Sequence, residues 1–276
     1  MPELPEVEIV RCGVAAAMTE CLLLGVHVRQ PQLRWPVPAH LDLWVRNQVV
    51  HAVSRRAKYL LLHTGAGDII VHLGMSGSLR LVEADHALAK HDHVDFFFNN
   101  AQQQVKCLRF NDPRRFGAVL WRAKGAGQHP LLQNLGPEPL SSDFHSDYLY
   151  HQLQRRSIAV KIALMDSRIV SGIGNIYANE ALFLAGISPL IAAQKLSRKR
   201  CQVLVDAVQI TLQQALSVGG STLKNFVNSD GKPGYFQQHR QVYQRALKPC
   251  LSCHTPIRQQ LLAQRSTYWC PCCQTG

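Results

Sequence analysis

Met1-Pro-Glu-Leu-Pro-Glu-Val-Glu8 opens the chain and leads into apolar residues at helical spacing. This spacing predicts a helix over residues 5–18, with Pro2 and Glu3 just ahead of its N-terminus. Both residue types are ordinary at a helix start, because proline lacks the N–H that the first turn leaves unpaired and a carboxylate favours the positive end of the helix dipole. That end would also favour a bound anion such as a phosphate.

The same stretch can also be interpreted as a reactive site. If Met1 is removed, the ring nitrogen of Pro2 becomes a free secondary amine. An α-amino group titrates near pH ~8, so roughly a tenth of it is neutral and nucleophilic at pH 7. Attack of this amine on a sugar aldehyde carbon forms an iminium ion, which accepts electrons when neighbouring C–O bonds break. Glu3 or Glu6 would then act as the general acid or base.

Length and charge narrow the class of protein. The 276 residues are enough for two domains with separate cores. A net charge of +12 favours a polyanionic partner, although solubility alone would also account for it. The charge is uneven, since the chain from Arg245 onward has no acidic residue while the first twenty residues carry four glutamates. This asymmetry suits a basic clamp for nucleic acid with a separate catalytic corner.

The sequence has no recognisable signal peptide or membrane span, because its longest apolar runs are strand-sized. We therefore expect a soluble, cytoplasmic protein. Nine cysteines without a secretory signal argue against a disulfide framework.

Short β-type runs separated by turns follow the first helix. So many strands at this spacing predict a β-sandwich or barrel within residues 1–130. The predicted strands are residues 24–28, 49–53, 59–62, 69–73, 78–82, 94–98, 104–110 and 118–121.

A Pro/Gly-rich stretch at residues 135–142 predicts a linker, and the pattern beyond it is helical. Helices are predicted at residues 148–155, 158–165, 176–184 and 198–218. Ser197 is expected to cap the last of them, and Gly219-Gly220 to end it. With the cysteine cluster, the sequence predicts an α+β chain in three parts: residues 1–130, 131–240 and 241–276.

The strongest pattern is a pair of CxxC motifs. Cys250 and Cys253 are separated by 16 residues from Cys270, which pairs with Cys273. This spacing predicts one structural zinc ion held by four thiolates, with no open coordination position for chemistry. Cys272 is out of register for a two-residue spacer. The residues between the pairs are expected to form a hairpin, with Arg265 on its returning arm.

A Gly-Ile-Gly-Asn segment ends at Asn175, before a predicted helix. Backbone N–H groups at a helix start and the Asn amide would form a phosphate-binding site. An Asn residue that caps the helix after a tight turn is the commoner interpretation.

Three strand-linked segments present basic groups: Arg55 to Lys58, His72 to Met75, and Asp112 to Gly117. Arg114 and Phe116 lie two residues apart, so in an extended loop they would project together. A guanidinium beside an aromatic ring, with Met75 as a second wedge, suits insertion between stacked bases, although each apolar residue alone is more often part of a core. His91 and His93 lack a third metal ligand nearby and are expected to form hydrogen bonds or to contact phosphate.

Taken together, these motifs resemble the bacterial formamidopyrimidine-DNA glycosylases over essentially the whole chain. The motifs that carry the resemblance are MPELPEVE, RRAKYLLL, HLGMSGSLR, KHDHVD, DPRRFGA, LGPEPL, GIGNIYA, SDGKPGYF, and CxxC followed by TPI, AQRST and CPCC. The resemblance implies repair of oxidised purines in DNA and strand nicking at the resulting abasic sugar. It also implies an N-terminal β-sandwich with a leading helix, a helix-two-turn-helix domain, a zinc-finger hairpin, and a monomer bound to damaged duplex DNA.

The resemblance also implies roles for individual residues. Pro2 would be the Schiff-base nucleophile and Glu3 its acid/base partner, while Lys58 and Arg265 would assist β- and δ-elimination or bind phosphate. The implied DNA-contacting residues are His72, His91, Arg114, Arg156 and Asn175, with Met75, Arg114 and Phe116 filling the gap left by the everted nucleotide. A lesion loop would comprise Ser221, Thr222, Leu223, Lys224 and Asn225.

The chain departs from the family pattern at His254 and Gln244, where glycine is usual. The first lies in a tight zinc knuckle, where we expect a positive φ that histidine tolerates less well than glycine. Three alternatives remain: the sister family that removes oxidised pyrimidines, a non-catalytic zinc DNA-binding protein, and a tautomerase with an N-terminal proline. Leu4 and the PRRF wedge segment argue against the first, and the basic zinc hairpin argues against the last.

Overall fold

The computed structural model describes residues 2–220 and 240–276. These residues fall into two compact units. One comprises residues 2–133 with Gly219 and Gly220, and the other comprises residues 134–218 and 240–276. The predicted division into three parts stays a prediction, and each unit is described by itself.

The first unit is a β-sandwich with a leading helix, α1 (Leu4–Met18). One antiparallel sheet has the strand order β1-β6-β7-β5 and the other has β2-β3-β4-β8. The strands are β1 (Leu22–Val28), β2 (Val50–Arg56), β3 (Tyr59–Thr64), β4 (Gly67–His72), β5 (Ser78–Glu83), β6 (Asp92–Asn99), β7 (Val105–Asn111) and β8 (Ala118–Ala123).

The core of this unit lies between the sheets and under α1. Val7, Val10, Val14 and Met18 are fully buried on one stripe of α1 and belong to the same cluster as residues from both sheets. Burying this stripe gives the helix most of its stability, because isolated helices of this length are marginal in water. The core therefore holds residues 2–4, which precede and begin α1, against the sandwich.

All eight predicted strands are present, with ends that differ by at most three residues. Two short helices were not predicted, α2 (Leu41–Val45) and α3 (Pro130–Gln133). Segments this short do not complete the repeat on which helix prediction depends. Within α2, Trp44 stacks on Trp121 of β8 with ring centroids 5.8 Å apart, so tertiary contact stabilises the turn.

The second unit consists of four helices and a hairpin. The helices are α4 (Ser146–Leu153), α5 (Val160–Leu164), α6 (Asn175–Leu184) and α7 (Arg198–Ser217), with a 3₁₀ turn at Ala193–Lys195. Ser197 caps α7 as predicted, its hydroxyl accepting the N–H of Arg200. The hairpin pairs β9 (Arg258–Leu262) with β10 (Arg265–Trp269) between the two cysteine pairs.

The stretch predicted as a linker is packed into this second unit. The N–H of Gly136 donates to the carbonyl of Ser167 at 2.8 Å, and the N–H of Ser171 donates to the carbonyl of Pro137 at 3.0 Å. A Cβ on Gly136 would lie 2.6 Å from the Ile169 carbonyl oxygen, so glycine is required for this close approach.

No helix in the described ranges is long and apolar enough to cross a bilayer.

Candidate nucleic-acid interface and metal site

Pro2, Glu3 and Glu6 lie together at the buried start of α1. Glu3 is the N-cap residue, and its N–H donates to Glu6 Oε2 at 2.8 Å in a capping box. Glu3 is 2% exposed and Glu6 is fully buried. The two carboxylates are thus held next to Pro2 by the local geometry of the helix start.

Gly220 also lies against this corner. A Cβ at Gly220 would be 3.3 Å from Glu6 Oε1 and 2.9 Å from Ile9 Cδ1. The predicted lesion loop, residues 221–225, follows directly in sequence but lies outside the described residues.

Lys58 occupies the turn between β2 and β3, which a charged pair ties to α1. Arg55 Nε donates to Glu8 Oε2 at 2.8 Å, and Arg55 Nη1 donates to the Ala57 carbonyl at 2.9 Å. Ala57 has a positive φ of 53°, so this turn is held in a conformation that few residues other than glycine adopt readily. The structure therefore brings the Lys58 turn to α1, the helix that Pro2 and Glu3 precede.

His72, at the end of β4, is a neutral hydrogen-bond acceptor. Burial and the positive charges of Lys58 and Arg34 lower the pKa of His72 to about 4. The N–H of Gly74 donates to His72 Nδ1 at 3.1 Å, and Tyr59 packs on the ring with centroids 4.8 Å apart. His72 thus anchors the turn that carries Met75, and a phosphate contact is not needed to explain its position.

Two neighbouring loops carry the predicted wedge residues: the Met75 loop (residues 73–77) and the Phe116 loop (residues 112–117). The Arg114 guanidinium carbon lies 4.6 Å from the centre of the Phe116 ring, and Phe116 is 42% exposed. The two side chains project together, as the sequence predicts. Met75, in the adjacent loop, is half-buried.

His91 and His93 belong to a hydrogen-bonded cluster beside these loops. His93 Nε2 contacts the Asp112 carbonyl at 2.9 Å, and the His91 and His93 rings have centroids 6.0 Å apart. His91 has a φ of 74°. In the part of the chain that the structure describes, neither histidine belongs to a group of three or more side chains that could hold a metal.

In the second unit, the hairpin arm that begins with Arg265 is fastened to two helices. The Ser266 carbonyl accepts hydrogen bonds from Asn175 Nδ2 at 3.0 Å and from Lys161 Nζ at 3.1 Å. Lys161 is fully buried and also donates to Thr267 Oγ1 at 2.7 Å. Arg265 itself is exposed, so the arrangement presents its guanidinium to solvent from a fixed backbone.

The interpretation of Asn175 as an N-cap is wrong. Gly174 is the N-cap residue of α6 and Asn175 is the first residue inside the helix. Its amide is turned towards the hairpin, so the long-range contact to Ser266 replaces the local capping bond. Arg156 follows α4, where its Nε donates to the Gln152 carbonyl at 2.9 Å.

Sequence reasoning missed several buried polar residues that hold this unit together. Glu180, on α6, accepts the N–H groups of Gln241, Val242 and Tyr243 at 2.8, 3.1 and 2.7 Å. Burial raises the pKa of Glu180, and the three donors act in the opposite direction. Asn179, one residue earlier, accepts the Tyr268 N–H at 2.8 Å. The available signal was a pair of polar residues inside an otherwise apolar helix.

The four predicted cysteines converge on one point. Their Sγ atoms all lie within 4.8 Å of one another, with Cys250 and Cys273 3.9 Å apart and Cys253 and Cys270 3.4 Å apart. A tetrahedral ion with ligands at about 2.3 Å requires sulfur–sulfur distances of about 3.8 Å. Hydrogen bonds from Thr255 lower the pKa of Cys253 to about 6, whereas hydrogen bonds with the other thiols and burial raise the pKa of Cys273. The group could hold a metal ion, and Cys272 is exposed outside it.

Comparisons with known proteins agree with this arrangement. Residues 1–119 match the family model of the formamidopyrimidine-DNA glycosylase N-terminal domain, and residues 135–227 match that of the H2TH domain of the same enzyme. The formamidopyrimidine-DNA glycosylases of Thioalkalivibrio sulfidiphilus and Thiobacillus denitrificans are each 50% identical over 274 residues, covering 99% of this chain and 100% of theirs.

Solved structures are similar over the same length. The MutM (Fpg) protein of Thermus thermophilus has a TM-score of 0.87 at 34% identity, covering 99% of this chain and 98% of its own. The Fpg of Lactococcus lactis in complex with DNA containing an abasic site has a TM-score of 0.89 at 29% identity, covering 99% of this chain and 100% of its own. Together with the two family models, these matches show that the chain belongs to the formamidopyrimidine-DNA glycosylase family.

Proposed function

We propose that this protein is a base-excision repair enzyme, a DNA-formamidopyrimidine glycosylase with DNA-(apurinic or apyrimidinic site) lyase activity. Its substrates would be oxidised purines in duplex DNA, such as 8-oxoguanine and formamidopyrimidines. The observation that carries this proposal is the 50% identity to formamidopyrimidine-DNA glycosylases over 274 residues. Glu3 and Glu6, buried at the helix start that follows Pro2, would supply the acid and base that such an activity needs.

In this mechanism, Pro2 acts as the nucleophile after removal of Met1. The neutral amine attacks C1′ of the damaged nucleotide, the bond to the base breaks, and the base leaves with a proton. Opening of the sugar ring then leaves an iminium ion between the Pro2 nitrogen and C1′. Removal of a C2′ proton expels the 3′ phosphate, a second elimination expels the 5′ phosphate, and water finally releases Pro2 from the sugar fragment.

Glu3 is the residue best placed to move protons in these steps. Its carboxylate lies one residue from Pro2 and is held by the capping box, so it can protonate the ring oxygen as that oxygen leaves C1′. Lys58 and Arg265 would bind the phosphates that flank the sugar and would assist the two eliminations.

The wedge residues would stabilise the duplex after the base has been everted. Met75, Arg114 and Phe116 would occupy the gap, with Arg114 facing the orphaned cytosine. His91, Arg156 and Asn175 would contact phosphates. His72 would anchor its loop and could also contact a phosphate. Residues 221–225 would close over the extruded base.

We also propose that Cys250, Cys253, Cys270 and Cys273 hold one structural zinc ion. The sulfur–sulfur distances support a tetrahedral site, and four thiolates leave no position for a substrate. The ion would therefore maintain the hairpin and take no part in the reaction. A DNA substrate would place the protein in the cytoplasm. As the resemblance implies, it would act as a monomer.

Borohydride trapping tests the proposal most directly. The protein is incubated with a duplex containing 8-oxoguanine opposite cytosine, or with a duplex containing an oxidised pyrimidine, and is reduced and analysed by intact mass and peptide mapping. We expect a covalent adduct at Pro2 that forms preferentially with the oxopurine. Glu3→Gln is the matched control, because it keeps the amine and should bind DNA normally while reducing adduct formation by about a hundredfold or more.

Each other outcome has a distinct meaning. Trapping mainly on the oxidised pyrimidine would assign the chain to the sister activity. DNA binding without any adduct, with Met1 shown to be absent, would leave a non-catalytic DNA-binding protein.

A further inference from the structure

Asp112, at the start of the Phe116 loop, is a fully buried carboxylate that joins two loops. Its Oδ1 accepts the hydroxyl of Ser76, from the Met75 loop, at 2.7 Å. Its Oδ2 accepts the N–H of Gly117, from its own loop, at 2.7 Å, and Oδ1 also accepts the Arg114 N–H at 3.3 Å. Burying a carboxylate costs free energy unless it accepts hydrogen bonds. The loops are therefore stable only while their N–H and hydroxyl groups donate to Asp112.

The backbone of Asp112 fastens a third segment to the same point. Its N–H donates to the His91 carbonyl at 3.1 Å, and its carbonyl contacts His93 Nε2 at 2.9 Å and accepts the Arg115 N–H at 3.1 Å. His91 and Arg115 both have positive φ values, 74° and 55°. Non-glycine residues keep such conformations only where their surroundings hold them.

The two loops also touch backbone to backbone. A Cβ on Gly74 would lie 2.5 Å from the Gly117 nitrogen and 2.5 Å from the Phe116 carbonyl carbon. A Cβ on Gly117 would lie 2.6 Å from the Phe110 ring and 2.7 Å from the His72 carbonyl oxygen. Neither glycine has room for a methyl group, so the two loops pack backbone to backbone as one body.

The outer face of this body carries Met75, Arg114 and Phe116, the side chains proposed to enter the duplex. Insertion between bases is opposed by the unstacking of base steps and by the ordering of the inserted side chains. Loops that are already rigid reduce the entropic cost of ordering the inserted side chains. Rigidity also fixes where the Arg114 guanidinium meets the base opposite the lesion.

We propose that Asp112 is a positioning residue that locks the Met75 loop and the Phe116 loop into one rigid wedge, and thereby sets both the rate of base release and the discrimination of the opposite base. This inference rests on the proposed function, because it assigns a task to residues of that reaction. Asp112 is buried and acts through the loops without touching DNA.

The test compares Asp112→Asn and Ser76→Ala with the unaltered chain under single-turnover conditions. Three duplexes are used: 8-oxoguanine opposite cytosine, 8-oxoguanine opposite adenine, and a preformed abasic site opposite cytosine. Asp68→Asn is the matched control. Asp68 is a buried carboxylate on β4 that binds His63 and Arg122, and neither of these partners belongs to the two loops.

We expect Asp112→Asn to slow base release opposite cytosine by about tenfold or more, and Ser76→Ala by about threefold, because the first change disturbs several loop hydrogen bonds and the second removes one. The rate ratio between the cytosine and adenine duplexes should fall towards one in both variants. Cleavage of the abasic duplex should change by less than about threefold, because a site without a base needs little unstacking. Asp68→Asn should leave the opposite-base ratio unchanged.

Two results would overturn the inference while leaving the proposed function intact: an unaltered opposite-base ratio in both variants, or an equal loss on all three duplexes. If Asp112→Asn fails to fold, as judged by thermal unfolding, Ser76→Ala alone decides the question. Failure of the unaltered chain to release 8-oxoguanine would instead defeat the proposed function, and this inference with it.

Discussion

At the scale of single residues, the environment of His72 determines its charge. Burial and the nearby charges of Lys58 and Arg34 lower its pKa from 6.5 to about 4. The folded chain therefore binds fewer protons than the unfolded chain between these pH values. The contribution of the neutral imidazole to the free energy of unfolding is complete above pH 6.5 and is lost as the pH falls towards 4.

We therefore expect His72→Asn to flatten the pH dependence of stability, since Asn keeps an acceptor for the Gly74 N–H but does not titrate. Between pH 6.5 and pH 4 the unaltered chain should lose about 1–3 kcal/mol more unfolding free energy than the variant. Urea unfolding followed by tryptophan fluorescence at several pH values measures the difference. Parallel pH profiles of unfolding free energy for the two proteins would contradict the lowered pKa of His72. Other groups with shifted pKa values, such as Asp95, are present in both proteins and cancel in the comparison.

At the scale of elements, the hairpin arm β10 depends on side chains from helices far away in sequence. Lys161 of α5 is fully buried and donates to Ser266 and Thr267, while Asn179 of α6 accepts the Tyr268 N–H. A two-stranded hairpin is at best marginally stable alone. These bonds hold the backbone from which Arg265 projects.

Lys161→Met should loosen β10 while keeping the packing volume of α5. We expect a local destabilisation of about 1–3 kcal/mol, because the Thr267 hydroxyl loses a charged partner. Hydrogen exchange of the β10 amides, read by mass spectrometry, should accelerate about fivefold or more. Lys199→Met, at an exposed position of α7, is the control. Equal hydrogen exchange of β10 in the two variants would show that the Lys161 hydrogen bonds do not stabilise β10.

At the scale of the whole molecule, the two units differ in how their cores are made. The sandwich has a continuous apolar core contributed by α1 and both sheets. The hairpin region has a small cluster in which two of the five buried residues are cysteines, Cys250 and Cys270. So small a core would depend on the proposed zinc ion, because small structural zinc modules are commonly unfolded without their metal.

Removal of the metal with a chelator at neutral pH should therefore unfold residues 249–275 and leave the sandwich intact. Hydrogen exchange should rise throughout β9 and β10, while the strands of the first unit keep their protection. Binding to duplex DNA should weaken, and added zinc should restore both properties. Unchanged exchange in the hairpin after proven metal loss would contradict a structural role for the ion.

Much of the architecture follows from local sequence patterns. The helical stripe of α1, the eight strands and the Ser197 cap were all predicted, because each depends on residues a few positions apart. The positive φ expected at His254 is confirmed at 60°, and Gln244, the other residue at a usual glycine position, has 61°. The CxxC spacing likewise predicted which four cysteines converge.

Long-range contacts decided the rest. The bond from Ser76 to Asp112 spans 36 residues and that from Lys161 to Thr267 spans 106, distances at which no periodic pattern records a partner. The lowered pKa of His72 and the turning of Asn175 away from the N-cap position both arise where separate strands or helices meet. Local spacing therefore determined which residues are available for chemistry, whereas burial and pairing between distant segments determined their charge, orientation and rigidity.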